Sequence, residues 1–267
     1  MTELGKGLRF VDLSVTLEDV HSEPVRHQPK IVYSAHEDNW DGLAALAPGV
    51  PKEAFLEEQG WASEFITLST HSGTHMDAPW HYHPTMNRAL ESGREPAASI
   101  EQVPLEWCFQ PGVKLDFRSF EAGYVATAAD VEAELARIGH VLRPLDIVLV
   151  NTRAAAIYGT DEYWQAHCGM GREATLYLLE RGVRVVGTDA WSWDVSFKYM
   201  SQRYHETGDA SCILEGHKAG ADIGYYQMEK LTNLDALPPT GFSVICLPVK
   251  IKGASAGWTR AVAVFAP

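Results

Sequence analysis

Four short apolar-rich runs, at residues 147–150, 183–186, 242–247 and 261–265, constrain this fold more than any other feature of the 267-residue chain. Each is far shorter than a typical helix of about 11 residues, and none shows the strict alternation of a half-exposed strand. They therefore predict strands buried on both faces. Two helices precede two of these runs. Thr127 is placed to cap a helix with Val131, Leu135 and Ile138 on one face and Gly139 at its end. A second is predicted at about 173–181, with Leu176 and Leu179 inward and Gly182 as its stop. Alternation at Leu13, Val15 and Leu17, and again at Val113, Leu115 and Phe117, predicts two further strands. The pattern is that of an α/β, strand-rich protein.

Nothing in the sequence divides it. There is no internal repeat or low-complexity linker, so residues 1–267 are expected to form a single domain. Pro24, Pro29, Pro48 and Pro51 break regular structure across about 20–60, which is expected to be an extended loop, a lid or a partner-binding arm. The net charge, 22 minus 35 or −13, with scattered Lys and Arg, argues against nucleic acid as a partner. No apolar stretch approaches ~20 residues, so no membrane span is expected. The first six residues lack the charged start and apolar run of a secretory signal, which points to the cytoplasm. Cys108, Cys168, Cys212 and Cys246 are widely and irregularly spaced, as buried free thiols in a reducing compartment would be.

The chemistry concentrates in residues 71–81, which read H-S-G-T-H-M-D-A-P-W-H, with His83 two further on. Three histidines and an aspartate in eleven residues form a donor set for Zn, Mn or Fe(II), with no thiolate nearby to narrow the choice. His71 and His75 have helical spacing, but Gly73 and Pro79 argue against a continuous helix. A turn at Gly73 followed by an extended piece fits better, and there His75 and Asp77 point to one side. The run Phe65-Ile-Thr-Leu-Ser-Thr is expected to be a strand delivering this loop to the rim of a sheet. A G-x-S-x-G elbow, a P-loop and a dinucleotide fingerprint are all missing.

The segment His71-Ser-Gly-Thr-His75-Met-Asp77-Ala-Pro79-Trp-His81 resembles the signature H-x-G-T-H-x-D-x-P-x-H of the cyclase superfamily, which includes bacterial kynurenine formamidases, isatin hydrolases and lactone-opening hydrolases. Two further regions support the likeness. His217 precedes by twelve residues the run Glu229-Lys-Leu-Thr-Asn-Leu-Asp-Ala-Leu-Pro, similar to the family's E-x-L-x-N-L-x-x-L-P, and the end of the chain resembles its closing strands. The resemblance implies a swivelling β/β/α fold in dimers or tetramers and one or two divalent ions, Mn²⁺ or Zn²⁺. It implies that His71, His75 and Asp77 hold one ion, that Asp77, His217 and Glu229 hold a second, and that His81 transfers protons. Glu229 would ligate or orient the attacking water. Isatin hydrolases differ in lacking the glutamate that Glu229 matches, which favours formamidase-like or lactonase-like members. The activity implied is metal-dependent hydrolysis of a small-molecule substrate: the C–N bond of an aryl formamide or small cyclic amide by a metal-activated water. Lactone hydrolysis, a cyclase or lyase reaction, and non-catalytic metal binding stand as alternatives.

Other residues are weaker candidates. Among eight tryptophans, Trp80 is expected to line a substrate pocket, with Trp40, Trp61, Trp191 and Trp193 behind it. Gln227 shares the strand face of Glu229 and is expected to contact substrate. Asp189 and Asp194 suit either a site or a turn, His205 is a spare ligand, and His83 supplements His81. His21, His27, His36, His140 and His167 read as ordinary surface or core residues.

Overall fold

The computed structural model describes residues 7–18 and 22–267, so His21 and the first six residues lie outside it. Nine strands form its main sheet: β1 Arg9–Asp12, β2 His75–Asp77, β3 Phe109–Asp116, β4 Ile147–Asn151, β5 Val185–Thr188, β6 Tyr226–Glu229, β7 Phe242–Ile245, β8 Ala256–Trp258 and β9 Val262–Phe265. Their spatial order is β1-β9-β7-β3-β4-β5-β6-β2-β8. The four central strands, β3 to β6, run parallel to one another, and every pairing outside them is antiparallel. Parallel neighbours need crossovers, and helices supply them. The helices are α1 Trp40–Leu46, α2 Pro79–Tyr82, α3 Ala128–Ile138, α4 Arg172–Leu179, α5 Phe197–Thr207 and α6 Glu215–Ala219.

All four apolar-rich runs become strands of this sheet. Those at 147–150 and 183–186 enter β4 and β5, which are buried on both faces and so show no alternation, whereas 242–247 enters β7, where only Phe242 and Val244 are fully buried, on one face. On one face Val113, Leu115, Val148, Val150 and Val186 pack against Val131, Leu135, Ala174 and Leu178 of α3 and α4. On the other, Ile147, Leu149, Val185, Phe242, Val244 and Ala263 form the second core. Helix α3 starts and stops where its sequence dictates. Thr127 Oγ1 accepts from the Asp130 amide, Asp130 Oδ2 accepts from the Thr127 amide, and Gly139 takes the left-handed turn (φ 66°). In α4 the inward residues are Ala174, Thr175, Leu178 and Leu179, while Leu176 is only half-buried.

Three expectations need correction. The first strand lies at Arg9–Asp12, earlier than predicted: Leu13 is buried, and residues 15–17 leave the ladder with only Ser14 bridging Leu231. The 20–60 region is not one loop. It carries α1 and a strand, Lys30–Ser34, whose partner thirty residues on is Ser63–Thr67. The latter is therefore the strand predicted before the motif, but it pairs in a separate two-stranded arm and not at the rim of the main sheet. The prolines sit between these elements and do not prevent them. Among the described residues no helix is long and apolar enough to cross a membrane.

Candidate metal centre

The register of β2, β6 and β8 assembles the site. Glu229 pairs with His75, and Gln227 pairs with Asp77. Directly opposed residues share a face, so these four side chains project together, while Met76 and Met228 point into the core behind. The turn feeding β2 depends on Gly73 at φ 61°, where a Cβ would also meet Leu17 Cδ1 at 3.1 Å. Pro79 ends the extended piece but stands at the first position of α2, where its missing N–H costs nothing, and that single turn lifts His81 over Asp77.

The donors converge on Asp77. Its Oδ1 lies 2.8 Å from His71 Nδ1 and 3.2 Å from His75 Nε2, and its Oδ2 lies 3.8 Å from His81 Nε2. Glu229 Oε2 lies 3.6 Å from His75 Nε2. His75, Asp77 and Glu229 are all buried. His75 Nδ1 is held by the Gly73 carbonyl at 2.9 Å, which leaves the lone pair of Nε2 facing the cluster. His75 Nε2 is buried with no hydrogen-bond partner, and Asp77 Oδ1 is buried with only the His71 and His75 ring nitrogens beside it, the arrangement expected of groups shaped for a cation. Two groups of donor atoms, each lying within 4.8 Å of one another, share Asp77: His71–Asp77–His81 and His75–Asp77–Glu229. Imidazole and carboxylate donors of this kind fit a divalent ion such as Zn²⁺ or Mn²⁺.

This grouping differs from the partition implied by the sequence, which joined His71 with His75 and His217 with Glu229. Gln227 stands between His217 and the carboxylates. It is fully buried, with Nε2 3.1 Å from His217 Nε2, 2.8 Å from Glu229 Oε1 and 3.3 Å from Asp77 Oδ2, while Tyr225 Oη donates to its Oε1 at 2.9 Å. Gln227 thus braces the donors and does not face the cavity. Asp194 braces His217: it accepts from the Gly216 and His217 amides (2.7 and 3.1 Å) and contacts His217 Nδ1 at 2.5 Å. One carboxylate both caps α6 and orients the ring at its centre.

Electrostatics follow from burial and this crowding. Burial raises the Glu229 pKa, and Asp77 pushes it the same way. Burial would raise Asp77 too, but His81, His71 and His75 outweigh it and hold Asp77 well below its ordinary value. For His217, burial lowers the pKa but Asp194 overrides it, leaving it at about 9. Burial lowers His81 to about 4, with Asp77 opposing and the neighbouring histidines assisting. His81 is therefore neutral near pH 7, with its side chain 35% exposed to the cavity.

That cavity, about 290 Å³, is floored by His71, His81, His217 and Glu229. Its walls include Tyr82, Trp191, Phe197 and Leu214, with Arg26 and His27 at one side. Trp80 does not line it: the residue is 48% exposed, and its position on α2 turns it away from the face carrying His81. Among the other tryptophans, Trp193 is buried with Nε1 donating to Thr175, Trp40 packs edge-on to Phe55, and Trp61 is exposed. Asp189 is a turn residue, accepting from the Thr152 and Ala155 amides. The His83 ring bonds Thr85, and His205 is exposed on α5. The lining role of His27 had no local signal, since it reaches the cavity by stacking beside Trp191, far away in sequence.

A parallel-centred sheet with a buried histidine–carboxylate cluster beside an aromatic cavity defines an α/β protein with a candidate metal centre. The chain belongs to the cyclase family: the model described as "Putative cyclase" matches residues 11–195. It is 28% identical over 235 residues to a kynurenine formamidase of Erythrobacter litoralis, covering 84% of this chain and 92% of that one. It is 30% identical over 203 residues to a kynurenine formamidase of Salinibacter ruber, covering 76% and 79%. In fold it matches an isatin hydrolase bound to the product analogue thioisatinate (19% identity, TM-score 0.73, 97% and 93% covered). It also matches isatin hydrolase A of Labrenzia aggregata bound to benzyl benzoate (24% identity, TM-score 0.69, 97% and 94% covered).

Proposed function

We propose that this protein is a metal-dependent hydrolase that cleaves the C–N bond of an aryl formamide or small cyclic amide. The observation that carries the reading is the buried His75 Nε2, which has no hydrogen-bond partner, crowded with Asp77 Oδ1 behind Glu229 and His71 of a cavity walled by Tyr82, Trp191 and Phe197. His71, His75, Asp77, Glu229 and His217 are the groups that would hold one or two ions, Zn²⁺ or Mn²⁺. A bound divalent ion supplies a Lewis acid for the carbonyl oxygen and lowers the pKa of water from 15.7 toward about 7. The residues do the rest. The aromatic walls bind a flat ring, and His81 Nε2, neutral at pH 7, accepts a proton from water and returns it to the departing nitrogen. Asp194 and Gln227 fix His217 and the carboxylates so that no donor has to reorganise. The kynurenine formamidase relatives support an amide substrate over an ester.

The test is hydrolysis of N-formylkynurenine, isatin and a dienelactone by the purified protein. Fastest turnover is expected on the formamide. Turnover of the lactone alone would replace this reading with a lactonase.

The finer setting belongs to the same reading. We place the enzyme in the cytoplasm, which its four free, buried cysteines support. We read it as a homo-oligomer, dimer or tetramer, because the arm exposes Val32 and Phe65 on one face and Tyr33 and Ile66 on the other. Light scattering is expected to give a multiple of the chain mass of 29.5 kDa, and a monomer would contradict it.

A further inference from the structure

Glu23 and Lys230 form an ion pair beneath one wall of the cavity, 3% and 1% exposed. Lys230 Nζ donates to Glu23 Oε1 at 2.5 Å and to the His71 carbonyl at 2.6 Å. Glu23 Oε1 also accepts from the Gly73 amide at 3.1 Å, and its Oε2 accepts from Trp191 Nε1 at 2.9 Å. Four stretches of chain, distant in sequence, therefore meet at two side chains. The backbone of Lys230 joins in: its amide donates to Ala190, and its carbonyl accepts from Thr74 Oγ1 at 2.6 Å. A second clip holds the same strap, where Ser72 Oγ donates to the His27 carbonyl at 2.6 Å.

Taking two charges out of water is costly, and an apolar pair of similar volume commonly does as well or better for stability. What an apolar pair lacks is directed contact. Here every such contact ends on a part of the site: the backbone of His71, the Gly73 turn that aims His75, and the indole of Trp191. The pair's own strap carries Arg26 and His27 to the cavity.

We propose that Glu23 and Lys230 are positioning residues: the pair locks the 22–28 strap, the 71–75 turn and Trp191 into one frame around the donors. The role rests on the hydrolase reading above, because it concerns the same cavity.

The test compares Glu23→Gln, Lys230→Met and the double variant with wild type. Each single change leaves a buried group without its partner and is expected to lower Tm. The double change removes both charges and is expected to regain most of that loss. Its Zn²⁺ affinity and kcat/KM are nevertheless expected to stay about 10–100-fold below wild type, as for partners that orient ligands. Deuterium uptake in the 71–75 peptide is expected to be faster in the double variant than in wild type. Glu23→Asp keeps the charge but shortens the reach, and is expected to fold while showing the same two defects in milder form. A double variant with wild-type Zn²⁺ affinity, turnover and 71–75 protection would overturn the proposal. So would wild-type values for Glu23→Asp. If wild type itself neither binds Zn²⁺ nor cleaves an amide, the hydrolase reading falls, while the uptake comparison still decides whether the pair holds the turn.

Discussion

The floor and the walls of the cavity are built in different ways. The floor rests on Glu229 and, buried beneath the cavity, on His75, Asp77 and Gln227, which stand on two hydrogen-bonded strands whose fixed register places all four on one face. The walls come from a strap, a turn and the start of α5: His27, Trp191 and Phe197 belong to segments with no ladder between them. The floor is as rigid as the sheet that carries it. The walls depend on individual side-chain clips, and segments held that way are the ones able to vary in shape. This division suits an enzyme whose chemistry is constant and whose substrate is not.

Breaking the floor should have the largest effect. Asp77→Ala removes the one carboxylate common to both donor groups, and we expect metal content near zero and turnover at background, read by elemental analysis and assay. His81→Ala is next. It should lower kcat by about 10²–10⁴-fold while metal is retained at the intact His75–Asp77–Glu229 group, since the proton carrier is lost. Asp194→Asn removes the charge behind His217 and should cost about 10–100-fold in metal affinity or kcat. Trp80→Ala should do least. The side chain lies outside the cavity, so KM should not move and stability should change by only about 0.5 kcal/mol. A large rise in KM there would show that the walls extend beyond the cavity described.

The same division explains what the sequence could tell. Six of the donor and acid–base groups were legible: four because they crowd into residues 71–81, and His217 and Glu229 through the family pattern. The central strands and α3 were legible because burial on two faces and a capping box leave local signatures. Register is not local. The pairing of Gln227 with Asp77, which turns a presumed substrate contact into a brace, depends on strands 150 residues apart. Glu23 was invisible for the same reason, lying 207 residues from Lys230. Trp80 belongs to the motif but not to the pocket, because the turn of α2 sends His81 and Trp80 in different directions. The arm was missed because its two strands are separated by α1 and by prolines that terminate elements without forbidding them.

Activity is expected to require an ion at the Asp77 cluster, and metal titration decides the point. Protein stripped by chelator should lose amide hydrolysis and regain it in proportion to added Zn²⁺ or Mn²⁺, saturating at one or two ions per chain. Full turnover by protein carrying well under one ion per chain would contradict the account.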